Sequence, residues 1–153
     1  MLHPGRLFAG ALSLVVIVSC IQIGYTMAQQ TPNLPLPSNI TVNIQSPDTD
    51  VPAAYAAFVG KWGGYWGGLL PSNLTVERVS ASGQAEGVYQ WGDHPSGRFR
   101  AGATKFRGKI DRGILGWGDT IRFEFKIQPD GKLAGERYNE GTQAGWVSME
   151  RIR

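Results

Sequence analysis

The stretch TIRFEFKIQPDG, residues 120–131, decides the fold class. Ile121, Phe123, Phe125 and Ile127 alternate with Arg122, Glu124 and Lys126. Successive side chains of a strand point to opposite faces, so four apolar groups share one face and three charges share the other. The first face is expected in a core and the second in water. Pro129-Asp130-Gly131 supplies a turn, with Gly131 suited to positive φ. Residues 132–138 are expected to return as a strand, and 143–152 to form the last one beyond Gly141.

Working outward, residues 73–79 and 84–91 read as a hairpin across Ser80-Ala81-Ser82-Gly83. The expected register sets Arg78 opposite Glu86, Val76 opposite Val88 and Glu77 opposite Gly87, because opposite charges facing across strands favour pairing. Residues 97–110 form another strand or two. Phe99, Ala101 and Ala103 share one parity, whereas Phe106, Gly108 and Ile110 share the other, so a bulge or break is expected near Lys105. Asp111-Arg112-Gly113 turns into a strand over 114–117. Gly83 with Gly87 and Gly131 with Gly135 place glycines alike, which suggests hairpins built alike. A helix of about one and a half turns is expected over 53–58. The total is about eight antiparallel strands, an all-β meander closed into a small barrel whose interior fills with side chains or holds one small ligand.

VGKWGGYWGGLL, residues 59–70, combines five glycines with three large rings. Glycine weakens an ordinary strand and appears where a strand coils sharply or another group packs on the backbone. This stretch is expected to be the first barrel strand, with a Trp closing one barrel end. A phosphate-binding loop is excluded, since no Ser or Thr follows Lys61 and no βαβ unit surrounds it.

Phe58-Val59-Gly60-Lys61-Trp62, a short helix running into Gly-x-Trp, resembles the start of a calycin barrel, the group of lipocalins, fatty-acid-binding proteins and avidins. Ser72-Asn73-Leu74-Thr75-Val76, with Val79, Gly83, Gly87 and Tyr89, resembles the second and third avidin strands. Thr120-Ile121-Arg122-Phe123 and Met149-Glu150-Arg151 fit that meander more loosely. The resemblance spans residues 58–152 and implies ligand contacts at Ser72 and Tyr89. Gly64 stands where the avidins carry a ligand-binding Asn, and Trp91 where they carry a small hydroxyl residue. The first connection is longer, and the final Asn or Asp contact has no counterpart. The resemblance therefore implies a barrel with room for a cavity, not the avidin ligand biotin.

The N-terminus reads as an export signal over residues 1–28. Arg6 precedes the 19-residue apolar run from Leu7 to Tyr25, and Thr26-Met27-Ala28 offers small residues before a cut. Two other readings stand beside it: a lipoprotein signal processed at Cys20, and an uncleaved anchor, since a span needs about 20 residues. Cys20 is the only cysteine. A chain cut after Ala28 has no thiol, disulfide or cysteine metal site. Residues 29–52 are rich in Pro, Asn and Ser, lack Lys and Arg, and read as a Pro-rich flexible linker to a barrel domain over 53–153. From residue 53 onward 14 Lys and Arg face 10 Asp and Glu, a mildly basic balance that suits anionic polymers or membrane surfaces.

Catalytic chemistry finds little support. Asp93, His94 and Ser96 share one loop, and neighbours in sequence rarely converge on one point as a triad must. One His with scattered carboxylates has no metal-ligand spacing. Glu77 with Glu86 or Glu124 could imitate a glycosidase pair, yet Glu124 falls on a wet face and Glu86 has Arg78 as its partner. Arg98-Phe99-Arg100 and Lys105-Phe106-Arg107 interleave cations with rings, as nucleic-acid binders do. A half-buried strand yields the same pattern, and an export signal argues against nucleic acid as a partner. The five tryptophans remain. Trp62, Trp66, Ser72, Tyr89, Trp91, Phe123 and Phe125 are the expected ligand-binding residues. The reading is an exported, non-catalytic module, without cofactor or metal, that holds a small apolar or aromatic ligand in its barrel and meets the membrane only through its N-terminus. Its rival is a packed barrel whose outer surface binds an envelope protein as an inhibitor or accessory module, or an anionic surface.

Overall fold

The structure, a computed structural model, describes residues 29–153. The export signal, Cys20 and the alternative anchor lie outside these residues. A one-turn helix, α1 (Ala53–Ala56), precedes eight strands: β1 (Gly60–Trp66), β2 (Leu70–Val79), β3 (Gln84–Trp91), β4 (Gly102–Asp111), β5 (Ile114–Trp117), β6 (Ile121–Ile127), β7 (Leu133–Asn139) and β8 (Thr142–Ile152). Each strand pairs antiparallel with the next, and β1 pairs with β8 from Lys61↔Ile152 to Gly64↔Met149, so the meander closes into a barrel. Closure removes the unpaired edges that an open sheet would expose.

The alternation of 121–127 holds. Phe125 is fully buried, Phe123 and Ile127 are half-buried at their ends of the barrel, and Ile121 emerges at the rim. Arg78 stands opposite Glu86, with Nη2 3.0 Å from Oε2. The rest of that expected register is wrong. Val76 pairs with Gly87 and Thr75 with Val88, because the ladder shifts between Val76 and Arg78. The shift makes Glu77 a bulge residue whose backbone oxygen accepts a bond from Gln45 N–H, 2.8 Å. The break expected near Lys105 is also absent. The β3–β4 ladder runs unshifted from Gln84↔Lys109 to Trp91↔Gly102. Phe99 belongs to the preceding connection, and the inward positions beside Phe106 are Gly102 and Thr104, which hydrophobic periodicity does not reveal.

One end of the barrel is sealed. Phe58 and Trp62 are fully buried there, and the Trp62 indole N–H donates to Phe58 O at 2.9 Å. Leu133, Ile110, Leu115, Phe125 and Met149 fill the interior. Each such buried side chain contributes about 1.5–3 kcal/mol relative to an exposed one. The two similarly placed glycine pairs serve the same purpose. Gly83 and Gly131 take positive φ in turns. Gly87 faces the Phe106 ring and Gly135 the Phe125 ring, so close that a Cβ at either would overlap its neighbours.

The segment read as a linker is in contact with the outside of the barrel. Pro32 is buried. Asn73 Oδ1 accepts from Leu34 N–H at 2.7 Å, and its Nδ2 donates to Pro32 O at 2.6 Å. Gln90 Nε2 donates to Pro35 O at 3.0 Å. These bonds satisfy both polar atoms of Asn73 and the amino group of Gln90, whose Oε1 is buried without a partner. Gly63 has no side chain because a Cβ would sit 2.5 Å from Pro32 O.

Candidate functional site

The end of the barrel opposite α1 is open. Here the β1–β2, β3–β4, β5–β6 and β7–β8 connections surround a cavity of about 500 Å³, within the usual range for small-molecule sites. Gly67 and Gly68 take positive φ in the tight β1–β2 turn, which lets Leu70 return directly beside Trp66 and line the wall. The longest connection, 92–101, brings His94 and Phe99 to the rim, their rings 6.1 Å apart.

Of the seven residues expected from sequence, Trp66, Tyr89, Trp91 and Phe123 line this cavity. Tyr89 centres the group, 5.2 Å from Phe123 and 5.8 Å from Trp91. Phe125 lies beneath, fully buried and packed edge-on to Trp66 at 6.1 Å. Ser72 is buried behind the wall, where its Oγ accepts a long 3.5 Å bond from the Tyr89 hydroxyl. Trp62 is in the sealed end, under Arg151, and does not line the cavity.

Among the lining residues that the sequence reading did not name, Trp117 and Arg137 shape the site most. Trp117 stacks on Phe106 at 4.3 Å and on Phe123 and Phe125 at 5.2 Å. It shares the parity of buried Leu115, which was the available signal. Arg137 shares the parity of Leu133 and Gly135 and stands opposite Phe123 and Gly145. Its neighbours Glu136 and Tyr138 disguise that parity, because a run of polar residues reads as a wet strand.

The polar atoms of the cavity are few. Trp66 Nε1 is buried and makes no hydrogen bond of normal geometry. It lies near enough to the Tyr89 phenol to influence its ionisation. Burial pushes that phenol above its usual pKa, while Ser72, the Trp66 indole N–H and the Arg137 charge pull against the rise. Among the described residues no acidic side chain lies within 4.0 Å of the Arg137 guanidinium.

The other chemical candidates stay apart. Asp93 Oδ1 accepts from Ala101 N–H at 3.0 Å, while His94 Nδ1 meets Ser96 Oγ at 2.7 Å, so Asp93 does not orient the imidazole. Glu86 sits between Arg78 and Arg107, at 3.0 and 3.6 Å. Glu124 pairs with Arg122, and Glu77 accepts from Asn43 N–H. No two of these carboxylates converge. No group of three or more His, Cys, Asp or Glu among the described residues could hold a metal ion. Comparison with family models, curated proteins and solved structures finds no match to the chain.

Proposed function

We propose that the protein is an exported, non-catalytic binding module of calycin type, which takes a small apolar or aromatic ligand into the open end of its barrel. The observation that carries this reading is the ring-lined 500 Å³ cavity beside a fully packed opposite end. A barrel built only for stability would fill both ends, since interiors pack to crystal-like density. The resemblance of 58–62 and 72–89 to calycin strands supports the same architecture. Native mass spectrometry of the protein purified gently from its own host tests the proposal. An extra mass released on denaturation, with Trp fluorescence altered when it rebinds, is expected. A bare mass, together with no fluorescence response to a panel of lipids, flavins and aromatic acids, overturns it.

A second reading, a partner on the outer surface, is favoured by Trp146. Its side chain is 60% exposed on β8 and borders a shallow groove with Tyr65 and Gly68.

A further inference from the structure

We infer that the ligand of the open end is an acid: a flat or apolar body carrying one anionic group, carboxylate or sulfonate, held against Arg137. The inference rests on the proposed function and narrows its ligand class.

Arg137 is the one Lys or Arg among the ring-bearing residues that line the cavity. Arg137 is half-buried on the inner face of β7, with Phe123 and Gly145 as its register partners. No acidic side chain of the described residues neutralises it. The other arginines are placed differently: Arg98, Arg100 and Arg153 are exposed to water. Arg151, at the sealed end, donates to two backbone oxygens; Arg78, Arg107 and Arg122 have carboxylate partners on the outside. A half-buried guanidinium without a counter-charge is costly unless something completes it.

A second, independent group points the same way. Trp66 Nε1 is a buried donor without an acceptor, and such groups are rare in native interiors. The Tyr89 hydroxyl beside it gives its proton to a stretched bond with Ser72 Oγ, 3.5 Å. The indole N–H and the guanidinium are donors, and the cavity lining holds no Asp or Glu to meet them. An anionic oxygen would satisfy the donors, and the rings of Trp91, Trp117 and Phe123 would stack on a flat body. Gly145 leaves space above the Trp66 ring, 3.5 Å from where a Cβ would lie.

Two dyes with the same ring skeleton test this on the full-length protein. 8-Anilinonaphthalene-1-sulfonate carries an anionic group, N-phenyl-1-naphthylamine carries none, and both brighten in apolar cavities. The sulfonate is expected to bind at least about 10-fold more tightly, the scale of a hydrogen bond to a charged group. Arg137→Met should abolish that preference by weakening the sulfonate at least about 10-fold more than the neutral dye, whereas Arg137→Lys should keep part of it. Arg107→Met, on the outer face, should change neither. Circular dichroism and binding of the neutral dye show that Arg137→Met is folded. Should that variant fail to fold, preference for the sulfonate in the wild type and its loss in 0.5 M salt remain the test. Equal binding of both dyes, unaffected at Arg137, overturns the acid while keeping the cavity. Failure of both dyes to bind overturns the cavity reading and this inference with it.

Discussion

The Arg151 guanidinium lies over the Trp62 ring, 4.1 Å from its centroid, and joins the last strand of the barrel to its first turn. It also donates to Val59 O at 2.7 Å and Ala57 O at 2.6 Å. Those oxygens follow the one-turn helix and have no other strand to pair with. Gly60 lacks a Cβ where the guanidinium passes. Burial holds the Arg151 pKa below its usual value without discharging it. Arg151→Ala should destabilise the barrel by about 2–3 kcal/mol, combining a cation–π contact with charged hydrogen bonds. Urea denaturation measures it, and Arg151→Lys should recover less than half, since an ammonium cannot reach both oxygens in the same plane.

Glycines under rings should be less replaceable than glycines in open space. Gly135→Ala forces a methyl group into the Phe125 ring and within 2.7 Å of Val147 Cγ1, and is expected to cost about 1–3 kcal/mol. Gly116→Ala meets nothing nearer than 3.6 Å at ordinary φ and should be neutral or slightly stabilising. Thermal melting of the two variants side by side checks the contrast.

Asn73 ties the N-terminal segment to β2. Asn73→Leu removes a donor and an acceptor from buried backbone partners, and should cost about 2–4 kcal/mol. Its effect should be local first: limited proteolysis is expected to cut within 31–45 before the barrel opens. Simultaneous loss of segment and barrel protection would show that the two unfold together instead.

Tyr89 predicts an alkaline limit. Its folded pKa lies above the usual value of about 10, chiefly through burial. Above pH 10 the unfolded chain releases this proton while the folded chain keeps it. The folded state then binds more protons, so stability falls as pH rises from the unfolded value to the folded one. Tyr89→Phe should remove that share of the decline, visible as a flatter dependence of the denaturation midpoint as pH rises above about 10, the ordinary tyrosine value. At pH 7 the substitution should cost less than about 1 kcal/mol, because the bond it removes is already stretched to 3.5 Å.

Local patterning by itself determined the all-β class, the turns at Gly83 and Gly131, the Arg78–Glu86 pair and four of the rings around the cavity. Alternation and turn chemistry act between neighbours, so they are legible in a linear chain. Closure into a barrel was expected from the strand count and holds; only the tertiary structure decided the bulge at Glu77 and the unbroken phase of β4. These depend on which strand lies alongside, and on the N-terminal segment that takes up the freed Glu77 oxygen. Which end is sealed was likewise undecided, and so was the side of the sheet that Arg137 enters. Glu136, Arg137 and Tyr138 look equally wet in sequence; the barrel turns the middle one inward because Phe123 and Gly145 flank it on the inner face. A charge reads as exposed until its neighbours in space, rather than in sequence, are known.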